Sequence, residues 1–257
     1  VIDQHEVATA RFTPEVDGLR IAHLSDLHVR TGIKPRRLHR AVEIINALRP
    51  DMVVLTGDYV CYSPRPVRML TEALRALEVP AYAVLGNHDH WSGAPQVRQA
   101  LGEAGVDVLT NESRRVHVRG GGTLHLVGVD DCITHHHDPD AAFADVPEGA
   151  STVVLSHDPR SADFLHTYRP GLVLSGHTHG GQFFFKRLTP LVWRKTMGVR
   201  YLTGFYDVEG TRLFVNRGFG AAIPVRVNAR AEVTLLTLRS EALARAGTGP
   251  LQSGLAA

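Results

Sequence analysis

Five short apolar runs, each closing directly on a polar side chain, constrain this chain more than any other feature. They are LRIAHLS before Asp26, DMVVLTG before Asp58, AYAVLG before Asn87, TVVLS before His157 and GLVLSG before His177. A strand with one wet face alternates apolar and polar residues, whereas continuous β-branched runs suit strands covered on both faces, as in sheets sandwiched between helices. Helical spacing at about 35–48 and 66–78 separates the first three runs, so the chain opens β-α-β-α-β, which implies parallel strands and right-handed crossovers. In open α/β sheets ligands bind beyond the carboxyl ends of strands, and all five polar residues stand there.

Further along, residues 94–104 read as another helix. Between 106 and 129, VHV and TLHLVGV flank Gly120, Gly121 and Gly122, which reads as a hairpin. Short strands at about 199–208, 211–216 and 231–238 suggest a second, more antiparallel sheet, and residues 240–257, rich in Ala, Gly and Ser, read as a flexible tail. With 257 residues, 44% of them apolar, a single domain over 1–239 has enough chain to bury its own core. A net charge of +2 gives no nucleic-acid-binding signature. Cys61 and Cys132 form neither a metal-type nor a redox-type pair, so no thiolate site is expected. No apolar run approaches the roughly 20 residues of a membrane-spanning helix.

The polar residues closing the runs suit metal chemistry. Asp26 and His28 are two apart, so in an extended segment both side chains point one way and can share an ion, and His177 and His179 repeat the spacing. Asp58 offers two carboxylate oxygens that can touch two ions roughly 3.5–4 Å apart. Asn87 adds a carbonyl oxygen and His157 an imidazole nitrogen. Such a nitrogen and oxygen set, free of thiolate, suits two divalent ions such as Mn, Fe, Co or Zn. The site then stays formally positive, which favours an anionic phosphate ester over a neutral substrate.

The blocks S-D-L-H (25–28), G-D (57–58), G-N-H-D (86–89), S-H (156–157) and G-H-T-H (176–179) together resemble the calcineurin-like metallophosphoesterase pattern, in its order. The resemblance implies an α/β fold, a four-layer α-β-β-α sandwich of two mixed sheets flanked by helices. It also implies that Asp26, His28 and His179 bind one metal, that Asn87, His157 and His177 bind the other, and that Asp58 bridges. His88 is then the nearby proton donor, oriented by Asp89, while a metal-bridging hydroxide attacks phosphorus in line. The longer strings G-H-T-H-G-G-Q (176–182), G-N-H-D-H-W (86–91), N-R-G-F-G (216–220) and I-P-V-R (223–226) are similar to a bacterial branch of often membrane-anchored phosphohydrolases. That branch is related to enzymes cleaving the pyrophosphate of UDP-2,3-diacylglucosamine. A chain opening at Val1 fits an anchor upstream, and a phosphodiester or pyrophosphate that is lipid- or nucleotide-linked is the expected substrate. Phosphomonoesterase or protein phosphatase activity on the same site is the alternative, and a non-catalytic binding module on this scaffold is the reading from another class.

Other residues carry plainer expectations. His23 and His125, inside apolar runs, read as hydrogen-bonded core histidines. His135, His136 and His137 read as a solvated loop, and His90 as a neighbour of the site rim. Cys61 receives no role. The stretch 180–195 joins three phenylalanines and Trp193 to Lys186, Arg187, Arg194 and Lys195, and reads either as a strand with a surface loop or as a contact for a lipid or anionic membrane surface. Arg30, Lys34, Arg36 and Arg37 either steer phosphate or solvate a helix start.

Overall fold

In the structure, a computed structural model, residues 1–30, 35–118, 121–185, 188–221 and 225–243 are described. The strands in chain order are β1 (Ile2–Thr9), β2 (Arg20–Leu24), β3 (Met52–Thr56), β4 (Ala81–Val84), β5 (Val106–Val108), β6 (Glu112–His117), β7 (Thr123–Gly128), β8 (Thr152–Leu155), β9 (Leu172–Ser175), β10 (Gly204–Val208), β11 (Thr211–Val215) and β12 (Val233–Ser240). The α-helices are α1 (Arg36–Leu48), α2 (Val67–Leu74), α3 (Asn87–Glu103), α4 (Pro139–Phe143), α5 (Ala162–Leu165) and α6 (Leu188–Met197).

Two six-stranded mixed sheets form, in the orders β1-β12-β2-β3-β4-β5 and β10-β11-β9-β8-β7-β6. The apolar runs are continuous because their alternate residues serve different layers. In β3, Val53 and Leu55 pack toward Leu38, Val42 and Ile45 of α1 and Leu70 and Leu74 of α2, while Met52 and Val54 enter the core between the sheets. In the second sheet, Val153 and Leu155 of β8 and Leu172 and Leu174 of β9 fill that same central core. Val154 and Val173 turn the other way, onto Ala142, Ala162 and Leu165. Each fully buried Val or Leu contributes about 1.5–3 kcal/mol, so a one-residue slip in these strands would be costly. The result is the expected α-β-β-α layering.

Several local expectations are corrected. The chain between 106 and 129 is divided between the sheets: β5 pairs in parallel with β4, and only β6 and β7 form the antiparallel hairpin; Gly120 lies outside the described residues. β12 enters the first sheet, parallel to β1 and antiparallel to β2. The second sheet is antiparallel only at its edges, β10–β11 and β6–β7, because β7, β8, β9 and β11 run parallel. Helix α3 begins at Asn87 and is kinked at Gly93 (φ 132°), just before Pro95. Among the described residues of 180–195 there is no strand; a 3₁₀ turn at His179–Gly181 precedes α6, and Lys186 and Arg187 lie outside the described residues. Ser240 is a buried strand residue rather than the start of a tail, whose residues 244–257 also lie outside them. No helix among the described residues is long and apolar enough to cross a membrane.

Candidate metal centre

Beyond their carboxyl ends β2 and β3 stay side by side: the Asp26 N–H donates to Gly57 O at 3.0 Å, the His28 N–H to Asp58 O at 2.9 Å and the Val29 N–H to Tyr59 O at 2.7 Å. This backbone is not extended. Asp26 and His28 have φ of 53° and 45°, and His177 and His179 have 69° and 53°, all in the left-handed region. Side chains two apart therefore need not share a direction. Asp26 and His28 do meet, with His179, in one cluster whose ligand atoms lie within 4.8 Å of one another. His177 instead joins Asp58 and His157, so the expectation that His177 and His179 face one ion from a common side fails.

Asp58 stands between the clusters. Its Oδ2 lies 3.5 Å from His28 Nε2 and 3.2 Å from His157 Nε2. Across the first cluster, His179 Nε2 is 3.5 Å from Asp26 Oδ1 and 3.0 Å from His28 Nε2. Asp26, His28, Asp58, Asn87, His157 and His179 are buried, and His177 is half-buried. The approach of β3 to α3 requires glycine: a Cβ on Gly86 would lie 2.4 Å from Asp58 Oδ1, and one on Gly57 (φ 85°) would lie 2.6 Å from Gly86 N. That closeness lets the His88 N–H, in the first turn of α3, donate to Asp58 Oδ1 at 2.9 Å.

Asp89 is spent on the backbone. Its Oδ2 accepts from Asp58 N (2.8 Å) and Gly86 N (2.9 Å), and its Oδ1 from Tyr59 N (2.8 Å) and Val60 N (3.1 Å). The expected partnership with the His88 ring is not among these bonds; adjacent helical residues point in different directions. The half-buried His88 ring has instead His28, Trp91 and Tyr62 as neighbours, with ring centroids at 5.0, 5.2 and 6.0 Å. Trp91 and Tyr62 are 64% and 75% exposed, so His88 sits where the buried candidate ligands give way to an open aromatic rim. Cys61 is buried with its sulfur near His28 and His88, and burial raises its thiol pKa.

Burial alone would raise the Asp58 pKa, but His157 and then His28 hold the carboxyl well below the ordinary range. Burial and the Asp58 charge push Asp89 up to about 7, against the N–H groups of Gly86 and Val60. Burial takes His28 down to about 4, and burial with the Arg226 charge takes His179 down to about 3. Neutral imidazole is the form that binds a metal.

The donor set fits divalent cations at most positions. His157 Nδ1 is 2.6 Å from Thr56 O, which fixes a hydrogen there, and against the effect of burial the charge of Asp58, whose Oδ2 is 3.2 Å from His157 Nε2, raises the His157 pKa. Among the described residues, Asn87 Oδ1 and His157 Nε2 are buried without a hydrogen-bond partner, an arrangement costly unless something else satisfies them. His179 departs from the usual pattern: its Nδ1 is 3.1 Å from an Arg226 nitrogen, and guanidinium can only donate. Behind a metal-bound imidazole an acceptor is the common partner.

Arg226 was not singled out in the sequence beyond its place in I-P-V-R. It donates to the carbonyls of Arg217 (2.7 Å), Ala229 (3.1 Å) and Gly220, and burial, with Arg37 and Arg217 nearby, brings its pKa to about 10. The N-R-G-F-G segment lies directly against the first cluster, since the N–H groups of Phe219 and Gly220 donate to Ser25 O and Asp26 O at 2.8 and 2.6 Å. Tyr59 was also missed. Its buried hydroxyl lies within hydrogen-bond reach of Leu55 O (3.1 Å) and Val84 O (2.9 Å), bracing the turn that carries Asp58. A large aromatic directly after Asp58 was its only sequence signal. His23, as expected, is a core histidine, its Nε2 2.9 Å from Thr56 Oγ1. His125 is buried in β7, while His135 and His136 are exposed and His137 is half-buried. His136 stacks on His90, which bonds Asp130 at 2.9 Å. Of the cations following the first ligand pair, Lys34 lies outside the described residues, as do Ile223 and Pro224.

The model of the calcineurin-like phosphoesterase family matches residues 19–181. The chain belongs to that family. YkuE of Bacillus subtilis (strain 168), an uncharacterized metallophosphoesterase, is 29% identical over 92% of this chain and 85% of its own length. YaeI of Escherichia coli (strain K12), named a phosphodiesterase, is 30% identical over 89% of this chain and 85% of its own. A Danio rerio protein named a transmembrane protein with metallophosphoesterase domain is 30% identical over 91% of this chain, which spans 56% of that relative's length. Among solved structures, TT1561 of Thermus thermophilus aligns with a TM-score of 0.51 at 12% identity, covering 77% of this chain and 89% of that one. A dimetal phosphatase from Danio rerio aligns at 0.50 and 13%, covering 79% and 88%. These two likenesses carry the fold: two mixed sheets flanked by helices. Family membership makes the chain a metal-dependent phosphoesterase.

Proposed function

We propose that the chain hydrolyses a phosphodiester or pyrophosphate bond at a two-metal centre, with Asp26, His28 and His179 holding one cation, Asn87, His157 and His177 the other, and Asp58 shared. The observation that carries this reading is the position of Asp58 Oδ2, 3.5 Å from a nitrogen of one cluster and 3.2 Å from a nitrogen of the other. Two divalent cations bound there would supply Lewis-acid charge to a phosphoryl group. The chain's own residues supply the rest. Asp89 fixes the backbone of the Asp58 turn and the start of α3, and the Asp58 carboxylate accepts the His88 N–H. His88, at the rim beside Trp91 and Tyr62, protonates the leaving oxygen.

A diester is favoured over a monoester because YaeI, which the chain resembles over most of both lengths, is named a phosphodiesterase. With Mn(II), bis(4-nitrophenyl) phosphate or a nucleotide-sugar pyrophosphate is expected to turn over faster than 4-nitrophenyl phosphate, and His88→Ala to slow the preferred substrate about 10²–10⁴-fold. A monoester preference would overturn the diester reading.

The approach to the centre fits a lipid-bearing substrate or an anionic membrane surface. Phe183, Phe185, Leu188, Leu191 and Val192 are exposed along the turn after His179 and α6, beside exposed Arg194 and Lys195. Relatives named as transmembrane proteins accord with a membrane setting. Co-sedimentation with phosphatidylglycerol vesicles is expected to fall at least about tenfold in an Arg194→Glu/Lys195→Glu variant, since each basic residue near such a surface contributes about 1 kcal/mol. Binding equal to wild type would remove the membrane contact from the account.

A further inference from the structure

On the far side of His179 from the Asp26–His28 cluster lies a cavity of about 430 Å³ whose walls include Arg30, Arg37, Arg226 and Arg230. They come from separate parts of the chain. Arg30 lies two residues past His28, Arg37 is in the first turn of α1, and Arg226 and Arg230 lie in the segment leading into β12. Arg226 forms the connection to the centre, with its guanidinium 3.1 Å from His179 Nδ1. Four guanidinium groups around one space repel one another, and the groups that anchor two of them do not neutralise them. Arg37 donates to Phe219 O at 2.7 Å and lies over the Phe219 ring at 5.0 Å. Arg226 is held by backbone carbonyls and by His179 Nδ1. Of the nearby carboxylates, Glu232 and Asp3 are engaged by Arg217, and Asp26, whose charge also acts on Arg226, belongs to the candidate centre. Arg226 also keeps its Nε–H buried without a partner. Carbonyls and His179 Nδ1 take four of the five donors of Arg226, so it brings the pocket mainly its charge, while Arg37, with one N–H on Phe219 O, keeps donors for an anion.

We propose that this four-arginine pocket binds a second phosphoryl group of the substrate, distinct from the one at the metal centre, an inference that rests on the phosphoesterase reading above. The substrate class is then a phosphoester carrying a further phosphate rather than a singly charged diester. The pocket exceeds what one phosphate needs and falls within the usual size for a small organic ligand, so the sugar or headgroup bearing the second phosphate fits in it too.

Two soluble esters that differ only in the distal charge test this: thymidine 5′-(4-nitrophenyl phosphate) with and without a 3′-phosphate. The metal-loaded wild type is expected to favour the 3′-phosphorylated ester about tenfold or more in kcat/KM, the scale of one or two charged hydrogen bonds. In Arg37→Ala/Arg230→Ala the ratio is expected to fall toward one, mostly through KM. Arg40→Ala, on the same helix but paired with Glu43 at 2.9 Å, should keep the wild-type ratio. Vesicles carrying phosphatidylinositol 4-phosphate or phosphatidylinositol form a second arm, and a preference confined to them assigns the pocket to a lipid headgroup. Indifference to the extra phosphate in both arms, or a preference that survives loss of both arginines, overturns the proposal. If neither ester turns over, the phosphoesterase reading fails on its own. The pocket is then read by thermal shift, where stabilisation by thymidine 3′,5′-diphosphate in wild type but not in the double variant supports it, and equal stabilisation of both overturns it.

Discussion

Five of the seven proposed ligands, Asp26, His28, Asp58, His177 and His179, hold φ between 45° and 69°, a region that costs an L-residue roughly 1–2 kcal/mol. Strain of this kind persists where the surroundings over-determine it and clusters at functional sites. The D-x-H and H-x-H spacings were legible in the sequence, but the reason for their convergence was not, because a left-handed turn leaves no mark when Asp or His adopts it. His23 was legible as a core residue, and its environment makes a prediction. Burial lowers its pKa from 6.5 to about 3. The unfolded chain therefore takes up a proton below pH 6.5 that the folded chain refuses, so the stability contributed by neutral His23 is intact above pH 6.5 and is lost as pH falls toward 3. Per pH unit the loss is about 1.4 kcal/mol. In His23→Gln, which retains a side chain able to bond Thr56, urea unfolding between pH 6 and 4 should show a stability slope shallower by that amount. Parallel slopes for the two proteins would show that His23 does not titrate as described.

At the scale of elements, the strands that carry ligands were the readable ones. β2, β3, β4, β8 and β9 are covered on both faces, so burial alone writes them as continuous apolar runs. The edges were harder. In β1 only Val7 and Thr9 are buried, and its pairing with β12, more than 220 positions away, has no local signature. The three-residue β5 was absorbed into a hairpin because Val106 and Val108 resemble the strands after them, while its pairing is with β4. α3 was read as starting too late because Gly93 and Pro95 interrupt the helical pattern, although Asp89 in its first turn already caps the backbone of Gly86.

Across the whole molecule, the candidate centre joins the two sheets. Asp26, His28, Asp58 and Asn87 follow strands of the first sheet, and His157, His177 and His179 follow strands of the second. Opposite donors meet with Asp58 Oδ2 3.2 Å from His157 Nε2 and His28 Nε2 3.0 Å from His179 Nε2. Cations held there would tie the sheets together and stabilise the fold by mass action, in addition to any chemistry. Arg226 was not legible as a site residue because its importance lies in its contact with His179, 47 positions away, and in a pocket shared with Arg30 and Arg37 from the start of the chain. The most direct test is metal content measured by elemental mass spectrometry on protein loaded with Mn(II) and desalted, read beside turnover of the preferred substrate. The account predicts about two ions per wild-type chain, and in Asp58→Asn fewer than about one, with turnover lost. A wild type that is fully active with a single ion, or an Asp58→Asn chain that keeps both ions and wild-type turnover, would contradict the shared-carboxylate centre.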